Sequence, residues 1–333
     1  MVKKAVLVSS ILIIFGVSIL VSVPIIILST GFSPYINVEG IPEPFEYVAS
    51  NTAGIHKLEL NVDVGNIEIQ YTTTRVDFLA KIELNIEMVG QNLVGESFDN
   101  YFIIEWDDSN TMPTFTMELE KDTDWFNTSK WITQNVGIIV TLNANILFDI
   151  DITINNIGNV EIFVPGGVNI NNVDVNLERG NMFFDFTYCI IEGNISGNVN
   201  NGNGDIDFKV NNVEYTRNSV WNLTNDIGVI LFDIIQYEGM GANITGMGET
   251  NTGIIEVVYK DFTSNVGAVF TFYRTVTQDG IWEGFEREID TDETQWWQSR
   301  FIYYSDDFPV INNYNISLYK TWDGEYSFNL LNT

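Results

Sequence analysis

The chain has 333 residues with 15 Lys and Arg against 45 Asp and Glu, and its formal net charge at pH 7 is −30. Nucleic-acid binding needs basic patches that neutralise phosphate, so this balance argues against a nucleic-acid-binding protein. Charged residues make up only 18% of the chain and aromatic residues 13%, which is the reverse of a disordered composition, and the length suffices for a folded core.

The first predicted element is a transmembrane helix over Ala5–Leu28. This run holds no charged residue, and as a helix that rises about 1.5 Å per residue it crosses a hydrocarbon core of about 30 Å. Lys3 and Lys4 precede the run, whereas the next basic residue is Lys57. Under the positive-inside rule, residues 1–4 are predicted to be cytoplasmic and the rest extracellular, anchored to the cell membrane by a single pass.

A cleaved signal peptide is the alternative interpretation of the same run. Ser29 and Gly31 are small residues of the kind found at a cleavage site, but the apolar run is longer than a signal-peptide core of about 7–15 residues. Length therefore favours a retained anchor, and either outcome exports the remaining residues.

Residues 29–50 contain three prolines and lack periodicity, and they are predicted to form a stalk between the bilayer and the folded domain. Over residues 51–271 apolar and polar residues alternate, as in Leu58, Leu60 and Val62, without sustained helical periodicity. Such alternation is typical of half-buried strands, and it predicts an all-β ectodomain.

A glycine opens a short strand at regular intervals in this ectodomain. From the second glycine onward the steps are 21, 22, 24, 24 and 25 residues. Repeats of this length indicate units that bury their apolar faces by stacking, with Gly and Asn at the corners. The spacing predicts a single-stranded, β-helix-like β-solenoid with coils of about 21–25 residues, and a sandwich or meander with regularly spaced hairpins is the alternative. The predicted corner glycines are Gly65, Gly137, Gly158, Gly180, Gly204, Gly228 and Gly253.

Residues 272–333 depart from the repeat and are rich in aromatic side chains. A stacked array needs an atypical last unit over its final apolar layer, so this segment is predicted to form an aromatic-rich β cap. Trp296 and Trp297 point to opposite faces if they lie in a strand, so at most one of them is exposed for stacking on a sugar ring. Packing in the core or the cap is the favoured role for most aromatic residues of this segment.

Three stretches of the chain resemble a family of bacterial and archaeal envelope proteins named as adhesins, whose β-solenoid domains are largely uncharacterised. Residues 60–69, Leu-Asn-Val-Asp-Val-Gly-Asn-Ile-Glu-Ile, are similar to the opening of that family's domain. Residues 162–170, which lead to Gly180-Asn181, resemble the step before its repeats, and residues 204–208 (Gly-Asp-Ile-Asp-Phe) are similar to its commonest repeat core. The resemblance spans about residues 55–258 and implies an envelope β-solenoid with an adhesin-like role; it implies no catalytic residues.

Residue types that carry common chemistries are scarce. His56 is the only histidine and Cys189 the only cysteine, which excludes zinc sites of the usual Cys/His type and an intrachain disulfide. Cys189 lies in an apolar stretch and is predicted to be buried and unreactive. Carboxylate pairs such as Asp205 and Asp207 meet the minimum for a glycosidase, but among 45 acidic residues they are expected to lie on a solvated outer face or, for Asp205, at a corner turn.

No cofactor is expected, with calcium as the one open hypothesis. Calcium takes oxygen ligands, which the acidic clusters supply without the spacing of an EF-hand or a nonapeptide repeat. The calcium candidates are Asp290, Asp292, Glu293, Asp306 and Asp307. The sequons that an exported domain offers for glycosylation are Asn127, Asn194, Asn222, Asn243 and Asn315.

The sequence favours a membrane-anchored extracellular binding or structural module over an enzyme. Its expected partners are the membrane, through Ala5–Leu28, and envelope polysaccharide or surface proteins. An envelope-sensing regulator that acts laterally through its helix on a membrane partner is the alternative. A polysaccharide-active enzyme also stays open, because β-solenoid scaffolds host such enzymes.

Overall fold

The computed structural model describes residues 36–37, 44–48, 52–74, 78–90, 102–107, 114–119, 131–263, 266–273, 279–283, 285–290, 300–305, 312–320 and 324–332. Within these residues every regular element is a β-strand, which confirms the all-β class. They include no helix that is long and apolar enough to cross a membrane, and the predicted anchor at residues 5–28 lies outside them.

Twenty-two strands occur in the described residues, and four of them are 18 residues long. The strands are β1 Ile36–Asn37, β2 Phe45–Tyr47, β3 Ile55–Thr72, β4 Ala80–Gly90, β5 Phe102–Asp107, β6 Thr114–Leu119, β7 Trp131–Asn143, β8 Leu147–Val164, β9 Asn169–Leu177, β10 Met182–Thr187, β11 Ile190–Ile191, β12 Ile195–Asn203, β13 Ile206–Asn211, β14 Glu214–Tyr215, β15 Ser219–Gln236, β16 Ile244–Asp261, β17 Val266–Tyr273, β18 Asp279–Glu283, β19 Phe285–Asp290, β20 Arg300–Ser305, β21 Asn312–Lys320 and β22 Gly324–Asn332.

The chain divides into two compact units. The first comprises residues 1–41, 85–101 and 121–136, and its β1 pairs antiparallel with β4, with Ile36 opposite Met88. The second comprises residues 42–84, 102–120 and 137–333, and it contains the repeat glycines and the strands that stack on one another.

Successive turns of the chain in the second unit pair in parallel. Ladder 1 runs through the first halves of β3 and β8, then β9, β12, the first halves of β15 and β16, and β21. Ladder 2 runs through the second halves of β3 and β8, then β10, β13, the second halves of β15 and β16, and β22. The short ladder 3 joins the start of β9 to β11 and β14. Buried and half-buried residues alternate along the strands, so one face of each ladder lines an apolar interior.

Ladder 1 passes into ladder 2 at a glycine corner. A Cβ atom added to Gly180 would lie 1.6 Å from the carbonyl oxygen of Gly158, and one added to Gly253 would lie 1.8 Å from that of Gly228. Consecutive turns therefore meet through their backbones, which excludes side chains at these positions. The column comprises Gly65, Gly158, Gly180, Gly204, Gly228 and Gly253. Gly137 pairs with Asn66 instead, one residue away from the column.

Short polar side chains link the turns beside this corner. The backbone N–H of Asn181 donates to Asn159 Oδ1 at 3.0 Å, and the N–H of Asp205 donates to Asn181 Oδ1 at 2.9 Å. The N–H of Val229 donates in turn to Asp205 Oδ1 at 2.8 Å. Each bond satisfies a backbone donor where the chain turns, which gives the abundant asparagines of the sequence a structural role.

Aromatic rings fill the interior of the middle turns. Phe184, Phe208 and Phe232 form one inward column of ladder 2, with neighbouring ring centroids 5.9 and 6.0 Å apart. Ladder 1 faces this column with glycines, since a Cβ atom on Gly197 would lie 3.2 Å from Phe184 Cε2 and one on Gly248 would lie 2.7 Å from Phe232 Cε2. Large residues on one ladder thus face glycine on the other, which fills the interior without overpacking.

Both ends of the stack depart from sequence order. At one end β3 lies between β8 and the strands β6 and β7, all of which follow it in the chain. At the other end β21 lies between β16 and β17, and β22 lies between β16 and β18. Both inserted strands follow β17 and β18 in the sequence. Part of the segment predicted as a cap, residues 312–320 and 324–332, therefore continues the two ladders. Antiparallel strands then lie outermost on ladder 1, with β5 on β6 at one end and β20 and β19 on β17 at the other.

Candidate recognition surface

An aromatic corner forms where ladder 2 ends, and it consists of Tyr188, Asn212, Tyr237 and Phe262. The three aromatic side chains are 54%, 48% and 49% exposed in that order. The rings of Tyr237 and Phe262 stack with centroids 4.9 Å apart and planes inclined by 5°. Tyr188 lies two turns away from Tyr237, which corresponds to about 10 Å at the usual strand spacing. The corner thus presents a flat, solvent-facing aromatic pair and a third ring farther along the same edge.

Unusual backbone geometry shapes this corner. Tyr188 and Asn212 have positive φ angles of 53° and 51°, in the left-handed region of backbone conformation. Asparagine adopts this region more readily than tyrosine does. Asn212 is buried, and its Oδ1 accepts hydrogen bonds from the N–H groups of Tyr237 at 3.0 Å and of Glu238 at 2.9 Å. The short amide therefore fixes the backbone that carries the stacked pair, and leaves a gap in the row of rings between Tyr188 and Tyr237.

An acidic column lies on the outer face of ladder 2, on the strands that lead into the aromatic corner. Asp185, Lys209 and Asp233 are in register on three successive turns, and Lys209 Nζ lies 2.8 Å from Asp185 Oδ2. The bond to Asp185 raises the pKa of Lys209. Partial burial, and then the charge of Asp233, raises the pKa of Asp207, while burial raises that of Asp233. Three carboxylates around one ammonium group give this face a negative charge.

A separate depression of about 440 Å³ opens near the start of ladder 1, and its lining includes Gly54, Asn145, Asn169 and Glu192. Asn169 Nδ2 donates to Glu192 Oε1 at 3.1 Å across its wall. None of the candidate metal, carboxylate or repeat-corner residues predicted from the sequence is among its described lining residues. Among the described lining residues Glu192 is the one that ionises near neutral pH, so these residues supply no catalytic pair of acid and base.

The predicted carboxylate pair is divided between two settings. Asp205 is exposed at the glycine corner, where its Oδ1 accepts from the N–H of Val229. Asp207 is half-buried beside the acidic column. Asp205 thus stabilises the corner turn through its hydrogen bond, whereas Asp207 lies on the outer face of ladder 2.

The calcium candidates fall outside the described side chains. Asp290 ends β19, with its side chain outside the described part, and Asp292, Glu293, Asp306 and Asp307 are not described at all. In the part of the chain that is described, no group of three His, Cys, Asp or Glu side chains is placed to hold a metal ion. The calcium hypothesis, and sugar stacking by Trp296 or Trp297, which also lie outside the described residues, stay predictions.

Four of the five sequons lie in described strands or turns. Asn194, Asn243 and Asn315 are exposed, whereas Asn222 is half-buried. Asn127 lies outside the described residues.

Cys189 and His56 are both interior residues. Cys189 is 1% exposed, as predicted, and burial raises the pKa of its thiol to about 12, which keeps it in the unreactive protonated form. His56 is fully buried, with its ring centroid 6.0 Å from that of Phe148 and 6.4 Å from that of Trp106. Neither side chain belongs to the aromatic corner.

Sequence reasoning did not single out the aromatic corner, although a signal for it exists. Its four residues recur at steps of 24, 25 and 25, which is the period of the corner glycines. Aligning the turns on their glycines places the four positions in one column.

No protein-family model matches the chain, and no curated protein matches it significantly. Among solved structures, a protein assigned to cell adhesion from Clostridium sporogenes is 11% identical, with a TM-score of 0.33 over 86% of this chain and 100% of the other. A protein assigned as an adhesin from Bacteroides fragilis is 10% identical, with a TM-score of 0.31 over 87% of this chain and 98% of the other. Both neighbours thus carry adhesion names, at a similarity too low to assign the fold or the function of this chain.

Proposed function

We propose that this chain is a membrane-anchored extracellular β-solenoid that acts as an adhesin-like surface binding module, and that its aromatic corner binds neutral polysaccharide. The anchor rests on the uncharged run Ala5–Leu28 and the two lysines before it. The solenoid rests on the parallel stacking of successive turns at steps of 22, 24, 24 and 25 residues along the glycine column.

The observation that carries the proposed binding role is the exposed Tyr237–Phe262 stack. Large aromatic side chains are normally buried to a greater extent than this. Two coplanar rings that are each about half exposed form an apolar surface whose burial by a ligand is favourable in free energy. Flat aromatic faces suit the apolar C–H faces of pyranose rings. The edge is also repetitive, so it presents equivalent positions along the stack to a repetitive polymer.

Charge selects the class of polysaccharide. Glu214 and Glu238 are exposed beside the aromatic corner, the acidic column lies on the adjoining ladder, and the whole chain carries −30. Anionic polymers are repelled by such a surface, whereas neutral ones are not. The proposed ligands are therefore uncharged envelope glycans.

The test is the affinity of the full-length chain in nanodiscs for a panel of neutral and anionic polysaccharides, with and without calcium. Saturable binding to at least one neutral polymer is expected. In the double variant Tyr237→Ala/Phe262→Ala, affinity should fall about tenfold or more, equivalent to about 1.4 kcal/mol.

The matched control is Ile157→Ala/Ile227→Ala, which removes two side chains that are 53% and 41% exposed on the glycine-corner side. It should bind as the unchanged chain does, and both double variants should keep the thermal transition of the parent. Equal loss in the two variants, or binding to anionic polymers alone, contradicts the proposed site. Failure to bind any glycan, or intact cells, would instead favour a lateral membrane partner.

A further inference from the structure

Two Asn-Gly pairs follow each other in one turn, Asn201-Gly202 and Asn203-Gly204, and the sequence contains no other such pair. In this dipeptide the backbone nitrogen of glycine reaches the side-chain carbonyl carbon of asparagine easily, because glycine has no Cβ and adopts many backbone conformations. Attack by that nitrogen is the first step of spontaneous deamidation. The two pairs have the same dipeptide sequence, so a difference between their deamidation rates in the folded chain reports the effect of the fold.

The fold places the two pairs in different backbone settings. Pairing of β12 with β15 is in register up to Val199 and resumes at Asn203, so residues 200–202 are passed over as a bulge. Gly204, by contrast, is buried in the glycine column, and its N–H donates to the carbonyl oxygen of Ile227 at 2.9 Å. Asn201 and Asn203 are both exposed, so solvent access does not distinguish them.

We propose that Asn201 is a site of spontaneous deamidation, and that the glycine column protects Asn203. The Gly202 backbone nitrogen loses its proton and attacks Asn201 Cγ; the Cγ–Nδ2 bond breaks, and Nδ2 leaves as ammonia. Water then opens the resulting cyclic imide at either carbonyl, which yields aspartate or isoaspartate. At Asn203 the same attack would require the Gly204 N–H to give up its bond to Ile227 and the turn to leave the column.

Deamidation at this position changes a contact between turns. Asn201 Nδ2 donates to Glu178 Oε1 at 2.9 Å, and the Asn201 N–H donates to the Glu178 carbonyl oxygen at 3.2 Å. A carboxylate in place of the amide loses the first bond and faces a like charge. The adjacent bond from the Gly180 N–H to the Asn203 carbonyl oxygen, at 3.3 Å, is expected to open more often as a result.

The experiment incubates the full-length chain in detergent at mildly alkaline pH, both folded and in concentrated urea, and follows the tryptic peptides by mass spectrometry with an isoaspartate assay. In urea the two asparagines should react at similar rates, whereas in the folded chain Asn203 should react at least tenfold more slowly than Asn201. Asn201→Gln keeps a carboxamide for Glu178 but lengthens the side chain, and it should abolish the signal at this position.

The proposal also predicts faster amide exchange at Gly180 in the aged chain than in the fresh chain, and no such change in Asn201→Gln. Equal rates at Asn201 and Asn203 in the folded chain would overturn it. So would strong protection of both residues relative to urea, because the bulge would then hold Gly202 as firmly as the column holds Gly204.

Discussion

Gly180 shows how closely the turns approach one another. Its φ is 126°, and an added Cβ atom would lie 1.6 Å from the carbonyl oxygen of Gly158, a backbone atom that cannot rotate away. Gly180→Ala is therefore expected to lower the free energy of unfolding by about 3 kcal/mol or more, through overpacking and backbone strain together. Chemical denaturation followed by circular dichroism measures the change.

Gly166→Ala is the matched control for that substitution. A Cβ atom there would lie 3.3 Å from Tyr188 Cβ, a distance that a small shift accommodates, so the expected loss is below about 1 kcal/mol. A Gly180→Ala variant as stable as Gly166→Ala would show that the turns are farther apart at the glycine corner than described.

At the scale of single elements, the alternation of apolar and polar residues correctly predicted the all-β class. A local period of 22–25 residues is visible where each turn returns to the same corner, and it links the five column glycines from Gly158 to Gly253. Gly65 joins the same column across a much longer stretch of sequence, through the pairing of β3 with β8. Gly137 lies one residue away from the column, where it pairs with Asn66. The sequence did not reveal this difference, because a glycine before an apolar run gives no indication of the residue with which it pairs. The aromatic corner was missed because alternation identifies inward residues, whereas Tyr237 and Phe262 belong to turns between strands.

The acidic column gives a prediction about pH at the scale of one ladder. Asp207 has a raised pKa in the folded chain, so between its ordinary pKa and the raised value the folded chain binds more protons than the unfolded chain. Its contribution to stability therefore falls as pH rises through that window, and stays lower at neutral pH. Asp207→Asn is expected to leave stability at pH 7 unchanged or higher, with the difference vanishing at acidic pH.

Asp185→Asn is expected to act in the opposite direction. Asp185 accepts a hydrogen bond from Lys209 at 2.8 Å in a partly buried pair, and its loss should lower stability at pH 7 by about 1 kcal/mol. Urea denaturation of both variants at neutral and acidic pH provides the comparison. An equal loss of stability in Asp207→Asn and Asp185→Asn at pH 7 would contradict this difference, because it would mean that the Asp207 carboxylate stabilises the fold as much as the ion pair of Asp185 with Lys209 does.

At the scale of the whole molecule, the order of strands in the stack lies beyond what a periodic pattern predicts. The Asn66 and Asn159 side chains are hydrogen bonded across 93 residues of sequence, and Asn243 bonds to Asn313 across 70. Both sequence separations are close to whole numbers of 21–25-residue periods, so the period indicates the corner at which these residues pair but not which turns are neighbours in the stack. Apolar alternation shows that β21 is a strand, but not which two strands it lies between.

This topology predicts an unusual pattern of amide exchange. β21 is paired on both sides, with β16 and β17, and Tyr314, Ile316 and Leu318 are fully buried. Residues 312–320 should therefore exchange as slowly as residues 244–250 of β16. They should exchange more slowly than residues 285–290 of β19, which pairs with β20 at the outer side of the stack. Hydrogen–deuterium exchange with peptide-resolved mass spectrometry distinguishes these cases, and fast exchange over 312–320 beside protected β17 would show that β21 is not inserted between its two neighbours.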